Sequence, residues 1–383
     1  MIDKKICLVT LGHQALDDRI FYKEALSLST AYRQVTVLAA GSGRVHEVEG
    51  IRILEIEPGR HQLSTMQRLY SAARKEQADF YHLHEPQLLL VGFMLKALGR
   101  AKILYDAHEH FPEMIRDFSR RPRLIAGLFA KAYSLLELSL VYLADGVVVA
   151  SDHLLKRFAR ANRRVIAIYN YPRTTLFHGQ ERVSPVLQER YKTNRVVIYH
   201  GQIGRARGLS KLIEATRMVA QRFPDVKLIL IGPVFGKTYR KELVERIKAE
   251  EAVELVDLLA AVPHRQIGEY IALSEVGLVV LPALPVFEQS LPIKLLEYMA
   301  CATPVVGSRL PAIEQVISDE ECGLLADPAD TAEIATAIEH LLEYPEEAKS
   351  MGQRGLKAVQ ERYNWSIMEK RLLALYGELD QVC

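Results

Sequence analysis

Cysteine is scarce in this chain. The four present, Cys7, Cys301, Cys322 and Cys383, fall in no CxxC pair and no metal-finger spacing. That excludes a disulfide scaffold and a zinc-finger module, and it reads as free thiols in a reducing compartment. Charge of one sign is lacking too. Lys plus Arg number 49 and Asp plus Glu 47, so a net charge of +2 selects no polyanionic partner. No G-x-G-x-x-G follows the first apolar strand, only Gly12, which argues against an NAD-dependent dehydrogenase. No D-x-D-like acidic pair follows a strand, so no metal site for a diphosphate is expected. An uninterrupted apolar run of membrane-spanning length is missing as well; the nearest, 124–143, carries Lys131 and Glu137. The opening Met1-Ile2-Asp3-Lys4-Lys5 leads straight into an apolar strand and reads as neither a signal nor a transit peptide. A cytoplasmic location is the expectation.

What is present is an α/β pattern. With 383 residues, 49% hydrophobic and 25% charged, the chain suits two globular domains. Short runs rich in Val, Ile and Leu predict strands at 5–11, 34–40, 51–56, 79–84, 102–107 and 145–150, with helices such as 20–32, 64–77 and 86–98 between them. Residues 170–194, with Pro172 and Pro185 among polar residues, read as a linker. The pattern then restarts, with strands at 195–200, 226–232, 254–258, 276–282, 303–307 and 323–326, and with helices at 208–222, 237–250, 264–273, 291–301, 311–317 and 330–343. Two Rossmann-like, doubly wound domains of similar size follow from this alternation. Residues 1–172 hold 24 Lys plus Arg against 18 Asp plus Glu, so the first domain is the basic one.

In open α/β sheets ligands sit beyond the carboxyl ends of the strands. Gly12 with His13, His84 with Glu85, His108 with Glu109, and Gly201 to Arg207 occupy such places. The stretch 288–306, EQSLPIKLLEYMACATPVV, adds a carboxylate, Glu297, inside an apolar helical run. Asp18-Arg19-Ile20-Phe21-Tyr22-Lys23-Glu24-Ala25, His82-Leu83-His84-Glu85-Pro86, Tyr105-Asp106-Ala107-His108-Glu109 and Tyr363-Asn364-Trp365 complete the set.

In this order these motifs resemble the retaining glycosyltransferases of family 4, which have the GT-B fold, and in particular a bacterial subgroup that builds surface polysaccharides such as lipopolysaccharide or capsule. The resemblance covers essentially the whole length. It implies two Rossmann-like domains facing across a cleft: an acceptor-side domain at 1–172, a nucleotide-sugar domain at 173–365, and a last helix, 366–383, turning back toward the first domain. It also implies hexosyl transfer from a UDP- or GDP-linked sugar to a polysaccharide, a lipid-linked glycan or another glycan, with no metal and no cofactor. Nucleic acid is not an expected partner.

The physical reading of each site agrees with that expectation. Glu297 suits the ribose hydroxyls. Ser290, Leu291 and Pro292 lie where a helix begins, and its free N–H groups suit phosphate. Lys294, one turn in, adds a point charge. In the loop 201–208 the family carries an Arg after the first glycine, where this chain has Gln202. Arg207 keeps the second expected charge, and Arg205 stands ready to compensate. The family's first glutamate of E-x7-E is replaced by Gln289, with Glu288 beside it, which leaves sugar contact to one of those two. Gly12 lets backbone approach a diphosphate. His108 and Glu109 are the expected catalytic residues, with Asp106 and Glu109 as orienters of the His108 ring and with His84 and Arg19 on the acceptor side; Arg19 either holds an acceptor phosphate or braces its loop through Asp18. Arg116, Arg120, Arg121 and Arg123, just before the apolar stretch 124–143, form a candidate patch for an anionic membrane. The rival readings are a degenerate, non-catalytic nucleotide-sugar binder and a related GT-B enzyme such as a nucleotide-sugar epimerase.

Overall fold

Strands made of continuous Val, Ile and Leu are buried on both faces, and here they stack side by side in parallel between layers of helix. The computed structural model describes residues 1–97, 99, 101–119, 122–177, 183–236, 238–288 and 290–381. Among these the chain parts into two compact units, Met1–Asn170 with the stretch from Ser366 onward, and Tyr171–Trp365.

In the first unit the strands are β1 (Ile2–Thr10), β2 (Tyr32–Ala40), β3 (Val45–Val48), β4 (Ile51–Ile56), β5 (Phe80–Leu83), β6 (Lys102–Ala107), β7 (Gly146–Val149) and β8 (Val165–Ala167). They form one sheet in the order β3-β4-β2-β1-β5-β6-β7-β8, and only β3 runs antiparallel to its neighbour. The winding direction switches between β1 and β5. The loops after β1, β5 and β6 therefore open a crevice at one edge of the sheet, and the polar dipeptides beginning at Gly12, His84 and His108 all lie there. The last helix, Trp365–Gln381, lays Tyr376 against Phe80, with ring centroids 5.1 Å apart.

The second unit carries β9 (Arg195–His200), β10 (Val226–Ile231), β11 (Val256–Leu259), β12 (Val276–Val279), β13 (Val305–Ser308) and β14 (Gly323–Ala326), in the order β11-β10-β9-β12-β13-β14. Its switch point lies between β9 and β12, so the loop 201–208 emerges where a ligand is expected.

Several elements depart from the sequence reading. The hairpin strand β3 and the edge strand β8 were not anticipated; both are short. Residues 170–194 are not all linker, because Pro185 begins the helix Pro185–Tyr191. Proline at the first helical position gives up a donor that has no helical partner anyway, so it starts this helix rather than breaking it. The predicted helix 20–32 begins with a π-helical turn, Ile20–Ala25, before continuing as α-helix over Leu26–Ala31. The apolar stretch 124–143 lies within one helix, Arg123–Leu143, which is by length and composition long and apolar enough to cross a membrane. It lies on the first unit with Ala126, Ala130, Glu137 and Val141 buried, and its only acidic residue, Glu137, is held by Arg157 Nη1 at 2.6 Å and by the Tyr105 hydroxyl at 2.8 Å.

Candidate active site

The first unit gathers a polar cluster at the ends of β1, β5 and β6. Asp106, the penultimate residue of β6, is its hub. Arg19 Nε and Nη2 donate to the two Asp106 oxygens at 3.0 Å each, and Nη1 donates to the Ile168 carbonyl at 2.9 Å. Glu24, one π-turn beyond Arg19, lies 2.9 Å from Arg19 Nε. The guanidinium is buried and fully engaged. Arg19 is thus a brace and not an acceptor-phosphate ligand, and its partners are Asp106 and Glu24 rather than Asp18. Asp18 instead pairs with Lys23 Nζ at 2.5 Å.

Around this hub stand three histidines. His108 Nε2 is 3.3 Å from Asp106 Oδ2 and 3.2 Å from His84 Nδ1. His84 Nε2 faces Glu24 Oε2 at 3.7 Å, and the His84 ring stacks on His82 at 4.9 Å between centroids. His82 Nδ1 meets the Tyr376 hydroxyl of the last helix at 3.0 Å. Burial pushes the His82 pKa down to about 4, and burial with the neighbouring His82 and His108 pushes His84 well below the usual histidine range, so both rings are neutral. Burial alone would raise Asp106, but Arg19, then His108, more than reverse that and hold it well below the ordinary carboxylate range. Burial, then the Asp106 charge, push Glu24 well above it, and Arg19 opposes them. Of the two orienters considered for His108, Asp106 makes the contact; Glu109 is exposed.

Gly12 plays a different part from the one expected. Its N–H donates to Glu85 Oε1 at 2.8 Å, while the Leu11 N–H donates to Oε2 at 2.9 Å and the Thr10 hydroxyl to Oε1 at 2.7 Å. Buried Glu85 therefore ties down the loop after β1 and takes the donor a phosphate would have used. On the same loop His13 Nδ1 lies 3.1 Å from Asp17 Oδ2, and the His13 ring meets His108 edge-on at 5.2 Å.

The second unit assembles its site around β9. Glu297, on the helix Ile293–Ala300, is buried with its Oε2 3.2 Å from His200 Nε2 at the end of β9. Lys294 is buried as well, and its Nζ lies 3.6 Å from the centroid of the Tyr199 ring. Gly201 has φ +111°, and a Cβ there would meet Lys294 Nζ at 3.3 Å, so only glycine fits comfortably between strand and lysine. Arg207 donates to Gln202 Oε1 at 2.8 Å and stacks over Phe287 at 4.8 Å. Burial, and next the nearby Arg207 charge, push the Lys294 pKa well below the usual lysine range; Glu297 opposes them. Among the described residues neither Lys294 nor Arg207 pairs with a carboxylate. Pro292, at the start of the helix Ile293–Ala300, gives its first N–H groups no side-chain cap. Ser290 is exposed, and Leu291 and Pro292 are half-buried. Arg205 does not join this group, because it turns to Glu242 and lies over the Tyr239 ring. Gln289 lies outside the described residues.

Sequence reasoning missed His200, Tyr199 and Tyr376, and gave no role to Glu24 and Glu85 within their motifs. His200 had a signal, as the polar last residue of an apolar strand; Tyr376 had none, since it reads as one more apolar residue of a helix. Among the described residues three groups place possible metal-ligand atoms within 4.8 Å of one another: Glu24-His82-His84, His84-Asp106-His108 and His110-Glu113-His153. In the first two Arg19 already neutralises a carboxylate, so a cation would compete with its guanidinium. In the third, His110 spends Nδ1 on the Glu113 N–H at 3.2 Å.

Comparison with known proteins bears on the family. Residues 24–171 match the model "Glycosyltransferase Family 4" and residues 184–358 match "Glycosyl transferases group 1". The chain is 30% identical over 197 residues to phosphatidyl-myo-inositol mannosyltransferase of Mycobacterium leprae (strain TN), which is 50% of this chain and 49% of that one, so the match spans about half of either protein. It is similar in structure to sucrose-phosphate synthase from Thermosynechococcus elongatus, with TM-score 0.80 and 19% identity over 99% of this chain and 100% of that one. It is also similar to HepE of Anabaena in complex with UDP-glucose, with TM-score 0.76 and 17% identity over 98% and 100%. With both units matched in order, each by a glycosyltransferase model, and with each sheet parallel and Rossmann-like, the chain belongs to the family-4 glycosyltransferases of GT-B fold.

Proposed function

We propose that this protein transfers a hexosyl group, with retention, from a nucleoside diphosphate sugar to a lipid-linked glycan of the kind surface polysaccharides are built on, without a metal. The observation that carries the donor side is the pair of cations at β9, Lys294 and Arg207, neither of which forms an ion pair with a carboxylate among the described residues. A buried ammonium with its pKa pressed down is costly until an anion arrives, and a diphosphate supplies one. Glu297 accepts the ribose hydroxyls. The HepE neighbour was solved with UDP-glucose, which favours a UDP-linked donor over a GDP-linked one.

In the transfer step the bond from the anomeric carbon to the phosphate oxygen breaks and a bond to the acceptor oxygen forms on the same face. The proton of the acceptor hydroxyl passes to the departing phosphate. Negative charge grows on that phosphate, where Lys294, Arg207 and the uncapped start of the helix Ile293–Ala300 meet it. His108 positions the sugar and the attacking hydroxyl. Gln289 or Glu288 reads the donor sugar.

The acceptor is met at the inner face of a membrane. The helix Arg123–Leu143 turns Leu124, Ile125, Leu128, Phe129, Leu135, Leu136 and Tyr142 to solvent, with Leu124 90% exposed. The charged residues on that face are the exposed cations Arg123 and Lys131, since Glu137 is buried, which suits an anionic bilayer. An apolar groove of about 320 Å³, lined by Ile115, Phe129, Tyr133 and Leu136 among others, lies on the same helix. Arg116 and Arg123 are described, whereas Arg120 and Arg121 lie outside the described residues. The mannosyltransferase of Mycobacterium leprae carries a phospholipid in its name, which agrees with a membrane-borne acceptor.

Two measurements test this reading. Release of nucleoside diphosphate should depend on added lipid-linked acceptor and fall at least a hundredfold in His108→Asn, with nucleotide affinity changed by less than threefold. Release that is independent of acceptor, or unaffected in His108→Asn, counts against it. The protein should pellet with anionic liposomes at low salt and stay in solution when Leu128 and Leu135 both become Asp. Equal pelleting of the two would remove the docking face.

A further inference from the structure

We infer that Asp106 and His84 hold His108 as its Nε2–H tautomer, so that the lone pair of Nδ1 is what the ring offers to a substrate hydroxyl. The inference rests on the reading that His108 faces substrate, and it deepens that reading by naming two positioning residues and the polarity of the contact.

The fold brings the three groups together for a simple reason. β5 and β6 are parallel neighbours with Leu83 opposite Tyr105, and that register carried one residue further sets His84 beside Asp106. Two residues on from Asp106 along the same strand direction comes His108, on the same side. The result is that a single nitrogen, His108 Nε2, has two close neighbours: Asp106 Oδ2 at 3.3 Å and His84 Nδ1 at 3.2 Å.

The proton assignment follows from what each neighbour can do. Arg19 donates to both oxygens of Asp106, and a carboxylate held ionised in this way only accepts. A bare Nε2 lone pair facing it would set two acceptors against each other in a buried site, so Nε2 carries the hydrogen. His84 Nδ1 faces that same N–H and must accept from it, which places the His84 hydrogen on Nε2. That atom lies 3.7 Å from Glu24 Oε2, too far for a direct hydrogen bond, so the His84 tautomer is set from the His108 side. The hydrogens of the row His84–His108–Asp106 then have one consistent arrangement. The remaining nitrogen of His108, Nδ1, has only a lone pair. His108 is the least buried of the three rings and the one with access to ligand. It accepts a hydrogen bond from a hydroxyl and donates none. This is the way a second partner of a histidine commonly decides which nitrogen works.

The test reads protonation directly, on the full-length protein with no substrate. Histidine labelled with ¹⁵N is followed by long-range ¹H–¹⁵N correlation near pH 8, with the His108 signals assigned by their loss in His108→Gln. Wild type should show His108 Nε2 protonated and Nδ1 bare. His84→Asn should keep that pattern, because the asparagine carbonyl replaces the acceptor at the place of Nδ1. His84→Leu and Asp106→Asn, checked for native folding by circular dichroism, should each convert the single tautomer to a mixture. A proton on Nδ1 in wild type overturns the inference, and so does a pattern that ignores both His84→Leu and Asp106→Asn. Since no turnover enters this readout, its failure leaves the glycosyltransferase reading standing, and failure of the turnover test leaves the tautomer result standing.

Discussion

Arg19 grips Asp106 through two parallel N–H···O bonds, each 3.0 Å, at the floor of the first unit's crevice. The pair is buried together with Glu24, so it works as a keystone and carries no ligand. Removing one partner of a buried ion pair leaves the other charge uncompensated, which typically costs about 3–5 kcal/mol. Arg19→Ala should destabilise the first unit by that amount in chemical denaturation, and Arg19→Lys should fall between, since an ammonium cannot make the fork. Nucleoside diphosphate affinity should hardly change. An Arg19→Ala protein of wild-type stability with weakened acceptor binding would return Arg19 to the acceptor side.

Glu297 should matter for the nucleotide and little for its neighbours. Hydrogen bonds to a charged group contribute about 1.5–3 kcal/mol. Glu297→Gln, which keeps the shape beside His200, should weaken nucleoside diphosphate binding about tenfold, and Glu297→Ala up to about a hundredfold. Calorimetry on the folded variants checks this; unchanged affinity would leave Glu297 as a partner of His200 alone.

The pair His13–Asp17 predicts a pH dependence. Burial alone would raise Asp17, but its bonds to His13 and to the Ile20 and Arg19 N–H groups bring it down from 3.8 to about 2. A depressed carboxylate pKa adds stability that is full above 3.8 and is lost as pH falls toward 2, here about 2 kcal/mol. His13 is raised, chiefly by its bond to Asp17, so its share is full below 6.5 and is lost as pH rises through its folded value. The pair therefore supports the first unit best between roughly pH 4 and 6.5. Denaturation midpoints of wild type and Asp17→Asn should differ most in that window and converge near pH 2. A gap that is constant over pH 2–8 would contradict the assignment.

Both sheets and their helical layers were legible because buried parallel strands announce themselves as Val-, Ile- and Leu-rich runs, and the loops after β1, β5, β6 and β9 were then found by position alone. The short strands β3 and β8 carry too few residues for a periodic signal. Pro185 was misread because the same residue that breaks a helix inside begins one at its first position. His108 and Glu297 were singled out by their motifs, and the structure sets them beside Asp106 and His200. Arg19 was misjudged because sequence cannot say which carboxylates a guanidinium will find; Asp106 is 87 positions away from it. Arg205 was misjudged for the same reason, its partner Glu242 lying beyond β10 on the helix Tyr239–Ala249. Tyr376 reaches His82 across 294 positions, and no local pattern could have paired them.

The central claim is that Lys294 and Arg207 wait for a diphosphate. It is tested most directly by titrating uridine and UDP, and guanosine and GDP for comparison, into wild type and Arg207→Ala by calorimetry. One nucleoside diphosphate should bind wild type well above its free nucleoside. Arg207→Ala should cost that diphosphate at least tenfold and its nucleoside less than twofold, since only the diphosphate brings the charge that Arg207 meets. If neither diphosphate binds, or if Arg207→Ala weakens nucleoside and diphosphate equally, the site at β9 is not built for a nucleotide sugar.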